Sequence, residues 1–294
     1  MGKPDFDIVS YLSNQQNLEN DFFKKKLAID ELRKIIRGDI ASLEIKKDKL
    51  HINLRDGRKY NWRMNSVKDN NFTVLTHTGE YENKTYKIIN KLIKDSDNII
   101  DVGANKGWYS VLFGKLANHG LVYAVEPTIA AYCELKENIK INNLKNVIAC
   151  NLAFSNYIGR GFMSIPYERS SLAYLVSNSV KNEDAIRVTT IDQFIKENQI
   201  NKIDLIKIDA EGSEYDILTG AESLLTSENA PILIIEAFDK CLLRFGKNTG
   251  DLIHFLKQCG YKVYNIETLE EYMQCVDNLD TDFVCFKNKL EDMV

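Results

Sequence analysis

The chain is poor in residues that mark several common kinds of site. It has 294 residues but only four histidines and four prolines, and none of its six cysteines forms a C-x-x-C pair. The cysteines therefore predict buried thiols in a reducing compartment, not a disulfide framework or a zinc site. No apolar run is long enough to span a membrane and the first residues lack an apolar signal core, so we expect a cytoplasmic protein. The net charge of −4 gives no global attraction for nucleic acid.

The strongest pattern that is present lies between residues 98 and 110, NIIDVGANKGWYS. Its apolar start, with Ile99, Ile100 and Val102, predicts a parallel strand that is buried on both faces. Gly103 and Gly107 then form a G-x-x-x-G turn. Gly103 allows the backbone to turn sharply and to approach a ligand, and Gly107 allows tight contact where the next helix begins.

The spacing of this loop favours one cofactor over another. A dinucleotide pyrophosphate is typically bound by G-x-G-x-x-G, whereas the second position after Gly103 is Asn105, which argues against NAD or FAD. Asp101, the G-x-x-x-G turn and Glu126 at the tip of the next strand are the pattern of class I S-adenosylmethionine (SAM) methyltransferases. A carboxylate at that tip is placed to accept hydrogen bonds from both ribose hydroxyls. The alternative is an ordinary strand-to-helix turn with a surface glutamate.

Strand and helix patterns alternate from residue 98 onward, which predicts an α/β fold, a parallel sheet with helices on both faces. Seven strands give a Rossmann-like class I methyltransferase sheet, and the last strand is expected to enter it antiparallel. We place this domain at residues 79–294, after a small N-terminal α+β appendage, residues 1–78. The predicted strands are 98–102, 121–125, 146–150, 203–209, 231–236, 261–266 and 281–286, and the predicted helices are 107–117, 128–142, 191–198, 213–226 and 249–259.

The appendage contains a predicted helix and a predicted antiparallel sheet. Helical apolar spacing runs over Asp21–Arg37, and alternation over residues 43–62, with a turn at Asp56-Gly57, indicates the sheet. We interpret the appendage as a packing cap, although such appendages also cover substrate clefts. Glu82 precedes a helix predicted over residues 84–94. It either complements the helix dipole or contacts the ammonium group of the cofactor.

Two further segments are expected to reach the crevice at the carboxyl ends of the strands. Asn151 follows the third strand and either binds the edge of the adenine or simply favours a turn, while the backbone of Ala153 is placed to read the adenine amino group. Residues 159–188 depart from the strand–helix alternation. We predict a hairpin over Gly161–Pro166 there, then a polar loop with Arg169–Ser171, and then a strand through Ile186–Val188. The polar loop is expected to lie over the crevice, where it either contacts a hydroxylated acceptor or is an ordinary surface loop.

A second concentration of charge lies in LIKIDAEGSE, residues 205–214. Lys207 falls within a buried strand, where a lysine is unfavourable unless it is paired, and Asp209 lies two residues on, on the same face. Glu211 follows. Three ionisable groups at the carboxyl end of a strand are typical of a catalytic site. The alternative is a structural ion pair beside a helix N-terminus.

Glu236 ends the next strand and is expected to project into the same crevice as Asp209. Two acids on neighbouring strand tips suit two kinds of chemistry. They either orient and deprotonate a hydroxyl, which we favour, or bind a divalent cation through hard oxygen ligands. The need for a metal therefore stays open, and no histidine stands where a base is expected.

These motifs together resemble the FkbM family of SAM-dependent methyltransferases. The resemblance covers about residues 79–290, and DVGANKG combined with IKIDAEGSE is specific for the family. It implies an O-methyltransferase that acts on hydroxyls of sugars, glycans or similar hydroxylated metabolites. After the IIE strand the chain reads Ala237-Phe238-Asp239, where many relatives have a longer stretch with histidine. The matching segments are GEYE (79–82), IIDVGANKGWYS (99–110), YAVEP (123–127), LAFS (152–155), SSL (170–172), KIDAEGSEYDILTGA (207–221), IIE (234–236) and GYKVYNI (260–266).

We expect SAM to lie across the strand tips, with Asp209 or Glu236 as the base, Lys207 fixing Asp209 and Glu211 holding the loop. The methionine part lies over the glycine loop, the ribose on Glu126 and the adenine near Asn151. The expected SAM contacts are Glu82, Asp101, Gly103, Asn105, Gly107, Tyr109, Ser110, Glu126, Asn151, Ala153 and Asp209.

Other functions make different demands on the sequence. A base-amino methyltransferase would want N/D-P-P-Y/F after the fourth strand, and no proline lies there. An RNA 2′-hydroxyl methyltransferase would use similar lysine and acidic groups but would be expected to have a basic surface. A SAM-binding protein without turnover would not need the charges at residues 207, 209 and 211. We therefore expect a hydroxylated small-molecule or glycan acceptor and no nucleic-acid partner.

Overall fold

The computed structural model describes residues 39–46, 49–63, 83–164, 173–176 and 185–287. Contacts within the chain divide it into two compact units, Met1–Asn83 and Lys84–Val294. The predicted boundary after residue 78 and the predicted helix Asp21–Arg37 lie outside the described residues, so both stay predictions. In the described part of the chain, no helix has the length and apolar character needed to cross a membrane.

The first unit contains a three-stranded antiparallel sheet, as the alternating pattern predicts. Its strands are β1 (Ile40–Lys46), β2 (Lys49–Leu54) and β3 (Lys59–Arg63), in the order β1-β2-β3. The side chains at alternate positions of β2 and β3 are buried, which is the period of two expected for a sheet with one covered face. The turn between β2 and β3 is held by Asp56, whose carboxylate accepts hydrogen bonds from the backbone and side chain of Arg58.

The second unit is built on a seven-stranded sheet in the order β13-β14-β12-β11-β4-β5-β6. Six strands are parallel, and β14 lies antiparallel between β12 and β13, which confirms the predicted entry of the last strand. The order reverses between β4 and β11, and ligands of open α/β sheets bind at such a reversal. The strands are β4 (Ile99–Val102), β5 (Val122–Val125), β6 (Val147–Cys150), β11 (Leu205–Ile208), β12 (Ile232–Phe238), β13 (Lys262–Asn265) and β14 (Asp280–Phe286).

Helices cover both faces of this sheet, because successive strand residues point to opposite sides. Ile100 and Ile206 belong to one hydrophobic core, with side chains of α4, α5, α6 and α8, whereas Ile99 and Leu205 belong to the other, with side chains of α1, α2 and α3. The helices are α1 (Asn83–Leu92), α2 (Trp108–Leu116), α3 (Ile129–Ile141), α4 (Ile191–Glu197), α5 (Glu214–Thr219), α6 (Glu222–Thr226), α7 (Asp239–Leu242) and α8 (Thr249–Gln258).

The predicted single helix over residues 213–226 is wrong, because the chain forms α5 and α6 instead. Gly220 ends α5 where the backbone passes close to Ser155: a Cβ on Gly220 would lie 2.2 Å from the Ser155 carbonyl oxygen. The second helix has its own cap, since the Asp192 carboxylate accepts hydrogen bonds from the backbone N–H groups of Ser223 and Leu224 at 2.9 and 3.0 Å. The break therefore depends on residues far away in sequence.

The predicted hairpin over Gly161–Pro166 is wrong for residues 161–164, and its last two residues lie outside the described part of the chain. Residues 159–164 form one strand, β8 (Gly159–Ser164), which pairs antiparallel with β9 (Tyr174–Val176) on one side and with β10 (Ile186–Thr189) on the other. A short strand that the sequence pattern misses, β7 (Ala153–Phe154), pairs parallel with β10 and completes a four-stranded sheet in the order β7-β10-β8-β9. The strand over residues 186–188 is confirmed, whereas Arg169–Ser171 lie outside the described residues.

Candidate active site

The loops at the carboxyl ends of β4 and β11 contact each other directly. Gly103 follows β4 with φ +75°, and a Cβ there would lie 1.7 Å from the carbonyl oxygen of Asp209. The backbone N–H groups of Gly103 and Ala104 both point to the carbonyl of Val125 at the end of β5, at 3.0 Å. Only glycine combines this backbone conformation with this close approach, so Gly103 packs the glycine loop after β4 against the Lys207–Asp209 strand end.

Gly107 has a related role one helix away. It is the N-cap residue of α2, with φ +87°, and a Cβ there would lie 2.7 Å from Cδ1 of Leu135 in α3. The tight contact predicted at the start of the helix is therefore made with the neighbouring helix.

Glu126 lies at the tip of β5 and binds its own surroundings tightly. Oε2 accepts a hydrogen bond from the backbone N–H of Asn105 at 2.8 Å, and Oε1 accepts from the backbone N–H of Thr128 at 2.7 Å and from the Thr128 hydroxyl. Burial raises the pKa of Glu126 to about 7, although these donors act to lower it. Since a carboxylate offers about four acceptor positions, about one remains for a ligand unless Thr128 moves.

Asp101 and Ser110 form a buried pair beneath the glycine loop. The Ser110 hydroxyl donates a hydrogen bond to Oδ2 of Asp101 at 2.5 Å, and both residues are almost fully buried. Burial raises the pKa of Asp101 to about 6, while Lys207 and Ser110 act to lower it. This pair joins the end of β4 to the first turn of α2, and so fixes the loop between them.

Lys207 is paired in the way that its position in a buried strand requires. Its Nζ lies 2.9 Å from Oδ2 of Asp209 and 4.6 Å from the ring centroid of Tyr109. Within the sheet Lys207 lies opposite Asp101 of β4, so its side chain points to the face that α2 covers. The ion pair and the cation–π contact together compensate for removing the ammonium group from water.

Asp209 is the carboxylate of this group that remains open to solvent. The side chain of Asp209 is 33% exposed, whereas that of Lys207 is 6% exposed. The Lys207 ammonium approaches only one of the two Asp209 oxygens at hydrogen-bond distance. The structure thus presents an oriented and accessible carboxylate at the point where the strand order reverses.

Three further carboxylates surround Asp209. Burial and the charge of Asp209 raise the pKa of Glu211 to about 7. Burial and the charges of Asp209, Glu214 and Glu211 raise the pKa of Glu236 well above its usual value. Burial also raises the pKa of Glu214 to about 7. Sequence analysis did not select Glu214, which accepts hydrogen bonds from the backbone N–H groups of Ala210 and Gly212 at 2.9 and 3.1 Å. The sequence feature that could have identified Glu214 is its position in the first turn of the helix that follows Gly212.

Three predicted contact residues keep their assignment as predictions. The side-chain amide of Asn151 donates hydrogen bonds to the carbonyls of Glu126 and Pro127, both at 2.9 Å, so its oxygen is the atom left for an adenine amino group. Ala153 is buried in β7, where it pairs with Val188. Glu82 lies outside the described residues.

A metal site at Asp209 and Glu236 receives no support from the described residues. Within residues 39–46, 49–63, 83–164, 173–176 and 185–287, no group of three or more histidine, cysteine, aspartate or glutamate side chains is arranged to hold a metal ion. Lys207 supplies a positive charge next to Asp209.

The sheet order, the glycine loop at the point of reversal and the carboxylate at the tip of β5 define a class I SAM-dependent methyltransferase. The family model described as methyltransferase FkbM domain matches residues 101–263, more than half of the chain. The chain therefore belongs to the FkbM methyltransferase family, and the enzyme uses SAM as its cofactor.

The chain is also similar to several individual proteins. Hexuronic acid methyltransferase AglP from Haloferax volcanii is 27% identical over 158 residues, which cover 53% of this chain and 63% of that protein. The crystal structure of M. jannaschii TYW2 with AdoMet has a TM-score of 0.43 and 14% identity, over 83% of this chain and 87% of that one. The fibrillarin pre-rRNA processing protein of Methanococcus jannaschii has a TM-score of 0.39 and 16% identity, over 85% and 99%. The chain spans less than two thirds of the length of the curated relative.

The residues of the site fit SAM. The side-chain oxygen Oδ1 of Asn105 is buried and has no hydrogen-bond partner among the described residues, so it can accept a hydrogen bond from a ligand beside Glu126. SAM offers ribose hydroxyls and an ammonium group as donors, and its positive charge suits a crevice with several carboxylates. We assign the ribose to Glu126 and Asn105 as a proposal.

Glu126→Ala is expected to raise the dissociation constant of SAM about 10- to 100-fold, measured by calorimetric titration. Each lost hydrogen bond to a charged group weakens binding by about 1.5–3 kcal/mol. Thr128→Val is the matched control, because it removes only the hydroxyl that competes for Oε1 of Glu126 and is expected to keep or improve affinity. Equal weakening by both variants would show that an ordered loop, not the carboxylate, binds the ribose.

Glu214→Gln is expected to become more stable relative to the native protein as pH rises. Burial raises the pKa of Glu214 from 4.5 to about 7, so the folded state holds this proton more tightly than the unfolded chain. Its stabilising contribution is complete below the unfolded pKa and is lost as pH rises through about 7. The unfolding free energy of Glu214→Gln minus that of the native protein should therefore grow by about 1.4 kcal/mol per pH unit between the two pKa values, 4.5 and about 7. Urea unfolding at several pH values measures it, and parallel curves for the two proteins would contradict it.

Proposed function

We propose that the enzyme transfers a methyl group from SAM to a hydroxyl of a sugar or glycan. The observation that carries this proposal is the Lys207–Asp209 pair at the point where the strand order reverses. An alcohol is a weak nucleophile and benefits from a base at the reacting oxygen. Asp209 suits the role of this base, because Lys207 orients its carboxylate and its side chain is 33% exposed.

The protein groups have separate tasks in this proposal. Bound SAM supplies an electrophilic methyl group on its sulfonium. Asp209 accepts the proton of the hydroxyl as its oxygen becomes the nucleophile, and later releases the proton to solvent. Lys207 holds the Asp209 carboxylate in place, and Glu211 positions the loop that follows. Glu236 is a neighbouring acid whose pKa is raised by burial and by the charge of Asp209, which favours hydrogen-bond donation over proton removal.

Two observations favour a sugar over RNA as the acceptor. A relative named for hexuronic acid methylation, at 27% identity, favours a sugar acceptor. The net charge of −4 offers no general attraction for RNA. A hydroxyl on a sugar or glycan is therefore the acceptor that we propose.

The test is an acceptor screen with SAM and the purified protein. Neutral hexoses, sugar acids, oligosaccharides and a short RNA are incubated separately, and S-adenosylhomocysteine formation is followed together with the mass of the methylated product. A methyl ether on a sugar hydroxyl is the expected product. Methylation of the RNA alone, or SAM binding without turnover on any acceptor, would overturn the proposal.

A further inference from the structure

Arg244 occupies a fixed position beside the acidic cluster. It lies in the turn Leu243–Phe245 after α7, and its guanidinium carbon lies 5.3 Å from the ring centroid of Tyr174 in β9. Phe245 packs edge-on against the same ring, with centroids 6.0 Å apart and planes at 89°. Tyr174, which itself packs against Phe245, therefore contacts the guanidinium of Arg244.

The hydrogen-bond donors of Arg244 are unused in the described structure. Among the described residues, no acceptor takes a hydrogen bond from its guanidinium, and Oε2 of Glu211 is 4.0 Å from Nη1. That distance is too long for a hydrogen bond. The Arg244 side chain is 32% exposed, so a ligand can reach the planar fork of five N–H groups.

Arg244 and the proposed base Asp209 share one neighbour. The Glu211 carboxylate interacts electrostatically with Asp209, and its Oε2 lies 4.0 Å from Nη1 of Arg244. A sugar bound through Arg244 would therefore have its ring next to the Asp209 carboxylate. The sugar ring would then be held at two points, by the Arg244 guanidinium and by the contact of its reacting hydroxyl with Asp209. This orientation determines which hydroxyl reacts.

The anion that suits this position is a carboxylate. A guanidinium fork binds a planar carboxylate through two parallel hydrogen bonds. A phosphate would also fit the fork, but it brings nearly two negative charges next to Asp209, Glu211 and Glu236, and the repulsion grows with the ligand charge. We propose, building on the proposed sugar O-methyltransferase function, that Arg244 binds the carboxylate of a sugar-acid acceptor and so determines substrate specificity.

The experiment measures binding of simple probes to the full chain saturated with S-adenosylhomocysteine. Calorimetric titration compares glucuronate, its neutral amide glucuronamide, and a hexose phosphate. The native protein should bind glucuronate about 10- to 100-fold more tightly than glucuronamide, because one charged bidentate contact distinguishes them. Arg244→Gln should abolish this preference, and Arg244→Lys should restore only part of it.

Lys247→Gln is the matched control. Lys247 lies three residues further on and also covers an aromatic ring, with Nζ 3.9 Å from the centroid of Tyr215, so its loss should leave the glucuronate preference unchanged. Unchanged S-adenosylhomocysteine affinity in all variants shows that they are folded. Equal binding of glucuronate and glucuronamide, a preference that survives in Arg244→Gln, tighter binding of the hexose phosphate, or no binding of any probe would each overturn the proposal.

The outcomes also separate this inference from the proposed function. Methylation of neutral sugars with no preference for an acid overturns the role of Arg244 and leaves the sugar O-methyltransferase function standing. Glucuronate binding that depends on Arg244, without methylation of any sugar hydroxyl, supports the carboxylate site and overturns the proposed reaction.

Discussion

Asp209→Asn is expected to lower kcat about 10²–10⁴-fold, which is the usual contribution of a general base. Asparagine keeps the size of the side chain and an oxygen that accepts the Lys207 hydrogen bond, which spans 2.9 Å in the native protein. It cannot take up the proton of the acceptor hydroxyl. The KM for SAM should change far less, since Gly103, Asn105 and Glu126 remain in place. Steady-state kinetics with a hydroxylated acceptor measures both constants.

Glu236→Gln separates the two candidate bases. Burial and the charges of Asp209, Glu214 and Glu211 raise the pKa of Glu236 and so favour its protonated form, which glutamine matches in shape and charge. Its loss of kcat should be much smaller than that of Asp209→Asn. A larger loss for Glu236→Gln would make Glu236 the base. An unchanged kcat in Asp209→Asn would mean that the accepting oxygen is already ionised and needs no base.

Gly103→Ala is expected to destabilise the protein by about 2–5 kcal/mol and to weaken SAM binding strongly. The new Cβ would lie 1.7 Å from the carbonyl oxygen of Asp209, and the backbone has φ +75°. A left-handed conformation costs a non-glycine residue about 1–2 kcal/mol, and overpacking adds about 1–3 kcal/mol. The loop and the Asp209 strand end must then separate, which disturbs the cofactor site and the base together. Urea unfolding and SAM titration measure the two effects.

Gly246→Ala is a matched control for backbone strain alone. Gly246 has φ +69°, and a Cβ there would meet no atom within 4 Å. We expect it to lose only about 1–2 kcal/mol of stability and to bind SAM normally. If both variants lost the same stability, the close approach of Gly103 to Asp209 would add nothing to the destabilisation caused by Gly103→Ala.

The local part of the site could be predicted from the sequence. The apolar run before Gly103 identified a buried strand, and the period of two placed Lys207 and Asp209 on one face, where the structure pairs them at 2.9 Å. Alternating strand and helix patterns predicted the α/β sheet and its antiparallel seventh strand. These inferences succeed because each rests on residues only a few positions apart, whose geometry is set by the backbone of one element.

Contacts between distant segments became visible in the folded protein alone. Gly103 meets the carbonyl of Asp209, Asp192 caps α6, and Tyr174 covers Arg244. The hydrogen bonds that Thr128 gives Glu126 were also missed, although the two residues are neighbours, because both interpretations of Glu126 assumed a free carboxylate. Strand order brings such groups together, and strand order depends on how whole elements pack, which no short sequence pattern encodes. Local sequence patterns are therefore enough to predict the glycine loop and the Lys207–Asp209 pair, whereas the packing of whole elements sets which groups surround them.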